Sequence, residues 1–366
     1  MKRGKEALTG VVFALALLAG GLWFLLAPKA DYSEAERRPL AAAPAPSASS
    51  ILDGSYFTGL NGWITDRFPA RESWRRLKAL WQLKVLREAE NNGLVLAHGS
   101  LVKLERQVSG ESLAYAGERL GAFYDRYLAG TDCRVYAAVI PDKSVFLADE
   151  GFPVMDFSEM EAAFWAALPA ARPIPLADTL TLDDYYRTDS HWRQERLFPA
   201  AERLLCTMGA AGPRPETDFV RGEYAPFSGV YAGQSALRPE PETLIYLTGS
   251  YLDAVRVRDL ATNSLLPVYD PAGCDARDPY TLFLGGARAL LRIENPNADT
   301  DRELVLIRDS FGSSLAPLLA GSYRAVTLAD LRYLQPEAAG RYLRFTDQDV
   351  LFLFSATLLN NSQGLR

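Results

Sequence analysis

The chain has 366 residues, with 39 Lys and Arg against 45 Asp and Glu, a formal net charge of −6. That length exceeds an average single domain and allows a large core. The acidic balance, without a dense Lys/Arg stripe, excludes nucleic acid as the main partner. Two histidines (His98, His191) and three cysteines (Cys133, Cys206, Cys274) exclude a His₃ zinc centre and any Cys₄ metal site, so no metal or cofactor is expected.

Lys2, Arg3 and Lys5 precede an uncharged run from Leu8 to Ala27. Twenty helical residues span about 30 Å, the thickness of a bilayer core. The three leading cations, against a balanced Lys29–Arg38 segment, place the N-terminus in the cytoplasm and the remainder outside. Residues 1–30 therefore read as an uncleaved single-pass anchor in the cell membrane. A cleaved signal peptide, and so a secreted chain, is the alternative. In an extracytoplasmic setting the three cysteines allow one disulfide or three free thiols, with no pairing favoured.

Residues 31–50 read as a flexible linker, Pro/Ala/Ser-rich from Pro39. The expected main domain is 51–366. Its first part is helical, with Leu60, Trp63, Ile64, Trp74, Leu77, Leu80 and Trp81 at helical spacing and Pro69 as a break. A short hairpin is expected around His98-Gly99-Ser100, and a helix over 111–129. The run Arg134–Ile140 reads as a buried strand, followed by a helix over 158–168 and a short strand near 173–176. Residues 214–290 change character, with short strand-like runs between Gly and Pro clusters, and read as a mostly β insertion. Buried strands are expected at 304–308, 325–328 and 350–354, and a helix over 311–320. The alternation predicts an α/β fold around a parallel sheet.

Two segments carry chemistry. In Tyr185-Tyr-Arg-Thr-Asp189-Ser190-His191-Trp192, an acid lies two residues before a histidine. Such an acid fixes the tautomer of an imidazole and stabilises its cation, as a general base for a serine requires. The plainer reading is that Thr188, Asp189 or Ser190 caps a helix starting near Trp192. In Leu304-Val-Leu-Ile-Arg308-Asp309-Ser310-Phe311-Gly312, a buried strand runs into Asp-Ser and then a helix. A serine there sits at a strand's C-terminal edge and at a helix N-terminus, where an oxyanion is stabilised. The plainer reading is again capping, by Asp309 or Ser310. Lys143, at the end of its strand, either faces the site or is solvated. His98, beside Gly99 in a turn, reads as a surface residue.

Taken in order, several segments resemble the DHHW family within the SGNH (GDSL-like) hydrolase superfamily. They are Ser33-Glu-Ala-Glu-Arg-Arg-Pro-Leu40, Asp66-Arg-Phe-Pro-Ala-Arg71, Ile140-Pro-Asp-Lys143, Asp189-Ser-His-Trp192, Asp278-Pro-Tyr-Thr-Leu-Phe-Leu284, Arg308-Asp-Ser-Phe-Gly312 and Asp330-Leu-Arg-Tyr333. The order, Asp189/His191 before Ser310, is similar to that of alginate O-acetylation proteins of the bacterial envelope. The resemblance implies an SGNH-hydrolase-like three-layer sandwich, with the β insertion between the two motifs. It implies Ser310 as nucleophile, His191 as base then acid, and Asp189 as orienting carboxylate. Asp309, Arg332, Tyr333 and Lys143 are weaker substrate or oxyanion candidates, and Arg332 has Asp330 or Asp309 as an alternative partner. Ser190 replaces the first histidine of the signature, Arg308 stands where many GDSL enzymes have Gly, and no Gly-x-Asn-Asp block is present. The implied activity is that of an esterase or O-acetyltransferase on an envelope polysaccharide. A membrane-bound O-acyltransferase is implied as partner. A catalytically inactive envelope protein that binds glycan or protein is the alternative.

Overall fold

The computed structural model describes residues 2–237 and 239–366. Contacts divide them into two units, residues 2–92 with 232–237, and Gly93–Tyr231 with Pro239–Arg366.

The smaller unit is helical. Helix α1 (Lys2–Leu26) contains Lys5–Leu26, 22 residues long and apolar enough to cross a membrane. Helix α2 (Ser55–Asp66) and helix α3 (Arg71–Leu80) flank Pro69, and α3 continues into a π-helical turn, Trp81–Val85. The stretch 31–50, expected to be a flexible linker, holds an antiparallel pair, Tyr32–Ser33 with Arg38–Pro39, and the start of a short helix, Ala48–Leu52. The Asp66 carboxylate of α2 accepts from Ala41 N–H at 2.9 Å and from Arg38 at 2.6 and 2.8 Å. Residues 232–237 join this unit through Arg75, which donates to the carbonyls of Gly233 and Gln234 at 3.0 and 3.1 Å.

The larger unit opens with a hairpin, β1 (Leu94–Ala97) and β2 (Ser100–Lys103). His98 and Gly99 turn it with φ of 48° and 76°, the left-handed geometry that two-residue hairpins need. His98 is exposed and pairs with Glu150 at 2.7 Å. Helix α4 (Gly110–Tyr127) follows, then β3 (Arg134–Ile140), α5 (Phe157–Ala167) and β4 (Arg172–Pro173).

No α-helix starts near Trp192; a single 3₁₀ turn, Gln194–Arg196, begins two residues on, and none of Thr188, Asp189 and Ser190 caps it. Trp192 pairs with Tyr185 as an isolated bridge, which requires extended backbone, and helix α6 (Phe198–Thr207) begins only six residues on, with Pro199 in its first turn. The chain then forms an antiparallel pair, β5 (Val220–Phe227) and β6 (Glu242–Thr248). After it come β7 (Arg256–Asp259), β8 (Ser264–Leu266), β9 (Leu290–Glu294) and β10 (Glu303–Arg308). Helix α7 (Phe311–Leu319), β11 (Ala325–Ala329) and β12 (Asp349–Ser355) complete the frame.

Eight strands form one mixed sheet in the order β8-β7-β9-β11-β10-β12-β3-β4. The run from β11 to β4 is parallel, and β9, β7 and β8 extend it antiparallel. Alternate residues of each central strand enter different cores. Leu304, Leu306, Leu351 and Leu353 meet α6 and α7 on one face. Val305, Ile307, Val350, Phe352 and Phe354 meet α4 and α5 on the other. Burial on both faces is why these strands read as unbroken apolar runs. The C-terminal ends of β10 and β12 carry Arg308-Asp309-Ser310 and Ser355, the edge where open α/β sheets place ligand sites.

Candidate active site

Ser310 lies between β10 and α7, in α-helical conformation (φ −60°, ψ −26°). Its side chain does not cap the helix. Asp309 does that work: one carboxylate oxygen accepts from Phe311 N–H at 3.0 Å, and the other accepts from the N–H and hydroxyl of Ser355 at 2.9 and 2.6 Å. Asp309 is thus fully committed to joining α7 to β12, and it does not face substrate as expected. The Ser310 hydroxyl is left for another partner, His191 Nε2, at 2.8 Å.

His191 Nδ1 lies 2.6 Å from Asp189 Oδ1. Asp189 is 2% exposed. Burial raises its carboxyl pKa, but bonds from the His191 ring and from the N–H groups of His191 and Val230 outweigh burial and hold it well below the ordinary range. Asp189 therefore stays ionised and acceptor-only, so Nδ1 donates to it and Nε2 is free to accept from Ser310. The close approach needs Gly229: a Cβ there would meet the Asp189 Cβ at 2.3 Å.

Neighbouring residues lock this row. Tyr280 stacks on the His191 ring, with centroids 3.8 Å apart and planes 15° apart, and its hydroxyl donates to Ser314 at 2.8 Å. Trp192 donates through Nε1 to Phe311 O at 3.1 Å and Ser314 Oγ at 2.9 Å. The segment carrying His191 is thereby fastened to the first turn of the helix that follows Ser310.

Lys143 is not a site cation. It is 1% exposed, and its ammonium donates to the carbonyls of Leu101, Tyr186 and Asp189 at 2.6, 2.8 and 3.2 Å. Burial pulls its pKa down to about 8, against the nearby carboxylates of Asp189, Asp142 and Glu242, which hold it up. It supports the loop that carries Asp189 from behind.

A cavity of 220 Å³ opens beside Ser310 and His191, lined also by Tyr280, Ser313, Arg308, Arg332 and Tyr333. Arg332 makes a bidentate pair with Asp330 at 2.6 and 2.9 Å, one of the two partners expected for it, and still lines the cavity with Tyr333. Arg308 is 1% exposed. Its Nη1 lies 3.1 Å from Asp309 O and 3.6 Å from Asp330. Its Nε and Nη2 have no hydrogen-bond partner among the described residues. Gly312 makes room for its stem, since a Cβ at 312 would sit 2.9 Å from Arg308 Cβ and Cγ.

Sequence reasoning missed Tyr280 and the unpartnered face of Arg308. The Asp278-Pro-Tyr and Arg308-Asp-Ser motifs contained both, but burial and stacking arise only on folding. All three cysteines are free thiols.

No family model and no curated protein matches the chain. Solved structures do. A DHHW family protein from Eubacterium siraeum superposes with a TM-score of 0.62 at 19% identity, covering 75% of this chain and 95% of that one. The fold is that of a DHHW family protein. Bacillus cereus PatB1, solved with a sulfonyl adduct, matches with a TM-score of 0.56 at 19% identity, over 73% of this chain and 95% of its own. The O-acetyltransferase domain of Pseudomonas putida AlgJ matches at 15% identity over 73% of this chain and 92% of its own, with a TM-score of 0.43, too low to bear on the site. The resemblance read from the motifs thus extends to the fold of the Eubacterium siraeum protein and of PatB1.

Proposed function

We propose that the chain is an extracytoplasmic serine O-acetyltransferase or esterase, anchored by α1, that handles acetyl esters of a cell-envelope polysaccharide. The observation that carries this reading is the unbroken row Asp189–His191–Ser310, at 2.6 and 2.8 Å. It has the reach and the tautomer that a serine nucleophile needs.

In this reading Ser310 Oγ attacks the acyl carbonyl while His191 Nε2 takes its proton. The carbonyl oxygen becomes an oxyanion. The N–H of Ser310, at the start of α7, and the unpartnered N–H groups of Arg308 are the donors offered to it. His191 then gives its proton to the leaving oxygen, and acetyl-Ser310 remains. In the second half His191 takes a proton from a sugar hydroxyl, whose oxygen attacks the ester carbonyl. The acetyl group moves to the sugar, and Ser310 recovers its proton from His191. Water in place of the sugar gives hydrolysis. The cavity of 220 Å³ is below the usual range of about 300–1,000 Å³ for small-molecule pockets. It suits an acetyl group, with the sugar at its mouth. A membrane-bound O-acyltransferase is the proposed acetyl supplier.

The test is turnover of p-nitrophenyl acetate by the full chain in detergent. The row predicts release of p-nitrophenol by the wild type and a loss of at least about 10³-fold in Ser310→Ala and in His191→Ala. Equal rates in wild type and Ser310→Ala would falsify it and favour a glycan- or protein-binding role.

A further inference from the structure

The smaller unit carries an apolar stripe that the proposed chemistry does not use. Trp74, Leu77, Trp81 and Val85 are 49%, 56%, 56% and 55% exposed. They recur at intervals of three, four and four residues along α3 and its π-helical extension, so they share one face. Ala79 is fully buried on the opposite face. Lys78 and Lys84 fall on the two edges of the stripe by the same periodicity. Arg71 and Arg75 are committed to Glu36 and Glu72, whereas Arg76, Lys78, Lys84 and Arg87 are exposed.

Contacts within this unit place the stripe next to the end of α1. Trp23 and Phe24, in the last turn of α1, contact Phe68 at ring-centroid distances of 6.5 and 6.4 Å, and Phe24 contacts Trp63 at 5.5 Å. Phe68, Ile64 and Trp74 line one groove of 710 Å³. The Trp74 indole donates to Pro69 O at 3.2 Å, which fixes the ring beside that corner. If α1 spans a bilayer, its last turn lies at the headgroup level, and so does the start of the stripe.

We propose that α3 and its π-helical extension lie in the membrane interface. Trp74, Leu77, Trp81 and Val85 enter the boundary between headgroups and acyl chains, and the flanking Lys and Arg side chains meet anionic lipid headgroups. This rests on the reading of α1 as a membrane anchor and is independent of the serine chemistry. The features are those of an interfacial helix: tryptophan and aliphatic residues on one face, cations at its margins, and apolar side chains that the described residues leave about half exposed. Tryptophan is favoured at this depth because its ring is apolar and its N–H polar. Each cation near an anionic surface adds about 1 kcal/mol of attraction.

The experiment uses the full chain reconstituted in vesicles of phosphatidylcholine and phosphatidylglycerol, with and without brominated phosphatidylcholine. Tryptophan emission is compared between wild type, Trp74→Phe and Trp81→Phe, and far-UV circular dichroism with thermal unfolding checks folding. The expected result is a bromolipid-quenched component that each substitution reduces and that aqueous iodide does not reach. Replacing phosphatidylglycerol by phosphatidylcholine should weaken that component severalfold while the chain stays resistant to alkaline carbonate. Overturning results are of two kinds. If Trp74 and Trp81 are quenched by iodide and not by bromolipid in a carbonate-resistant chain, the stripe faces water or another protein. If carbonate extracts the chain, the anchor fails, and the interfacial helix fails with it.

Discussion

Asp309 and Ser310 share a helix start, and the structure divides the labour between them. Asp309 caps α7 and holds Ser355, so the Ser310 hydroxyl is free to meet His191. The sequence contained both residues but not this division, because a strand end followed by Asp-Ser fits capping and catalysis equally well. Lys143 was less legible. A lysine at a strand end is ordinarily solvated, and only folding surrounds this one with backbone carbonyls, those of Leu101, Tyr186, Arg187 and Asp189. Arg308 presents the sharper residue-scale prediction. Its buried guanidinium keeps two nitrogens without a hydrogen-bond partner among the described residues, and the residue lines the cavity that Ser310 also lines. As an oxyanion donor it should contribute about 10²–10³ in kcat. Arg308→Met is expected to lower kcat for p-nitrophenyl acetate by that factor with little change in KM, and Arg308→Lys to restore part of it. A purely structural Arg308 would instead lower Tm and leave kcat per folded molecule unchanged.

At the element scale, the site depends on how the His191 segment is fastened to α7. Trp192 makes both bonds into the first turn of that helix, and Tyr280 covers the imidazole from the side. Trp192→Phe keeps most of the packing and leaves Phe311 O and Ser314 Oγ without the indole donor. The expected cost is about 1–3 kcal/mol in stability, read by denaturant unfolding. A fall in kcat of about tenfold should accompany it, since displacing a base by a fraction of an ångström weakens transfer. An unchanged kcat would mean that Tyr280 and Asp189 suffice to hold the ring. The central strands were readable because a strand buried on both faces must be apolar throughout, as at 304–308 and 350–354. The helix expected near Trp192 was not, because its bridge to Tyr185 joins residues that local propensity does not pair.

For the whole molecule, the parallel half of the sheet follows from its apolar runs, whereas the antiparallel edge formed by β9, β7 and β8 depends on pairings between distant segments. The larger unit also carries a pH-dependent weakness away from the site. Glu161, on α5, is buried with one oxygen unpartnered. Burial, aided by the Asp178 carboxylate, raises its pKa from 4.5 to about 7. Between those values the folded chain holds a proton that the unfolded chain has released, so stability falls as pH rises through that window and levels off above it. Glu161→Gln should therefore raise Tm by a few degrees at pH ~8 and have little effect at pH ~4. An equal shift at both would place the cause elsewhere.

The central claim is that Ser310 carries the acyl group, and peptide mass mapping after brief reaction with p-nitrophenyl acetate and acid quench tests it most directly. The account predicts an added acetyl group on the peptide containing Ser310, absent from Ser310→Ala and strongly reduced in His191→Ala. An unmodified Ser310 peptide in a chain that still releases p-nitrophenol, or an acetyl group that persists in Ser310→Ala, would contradict it.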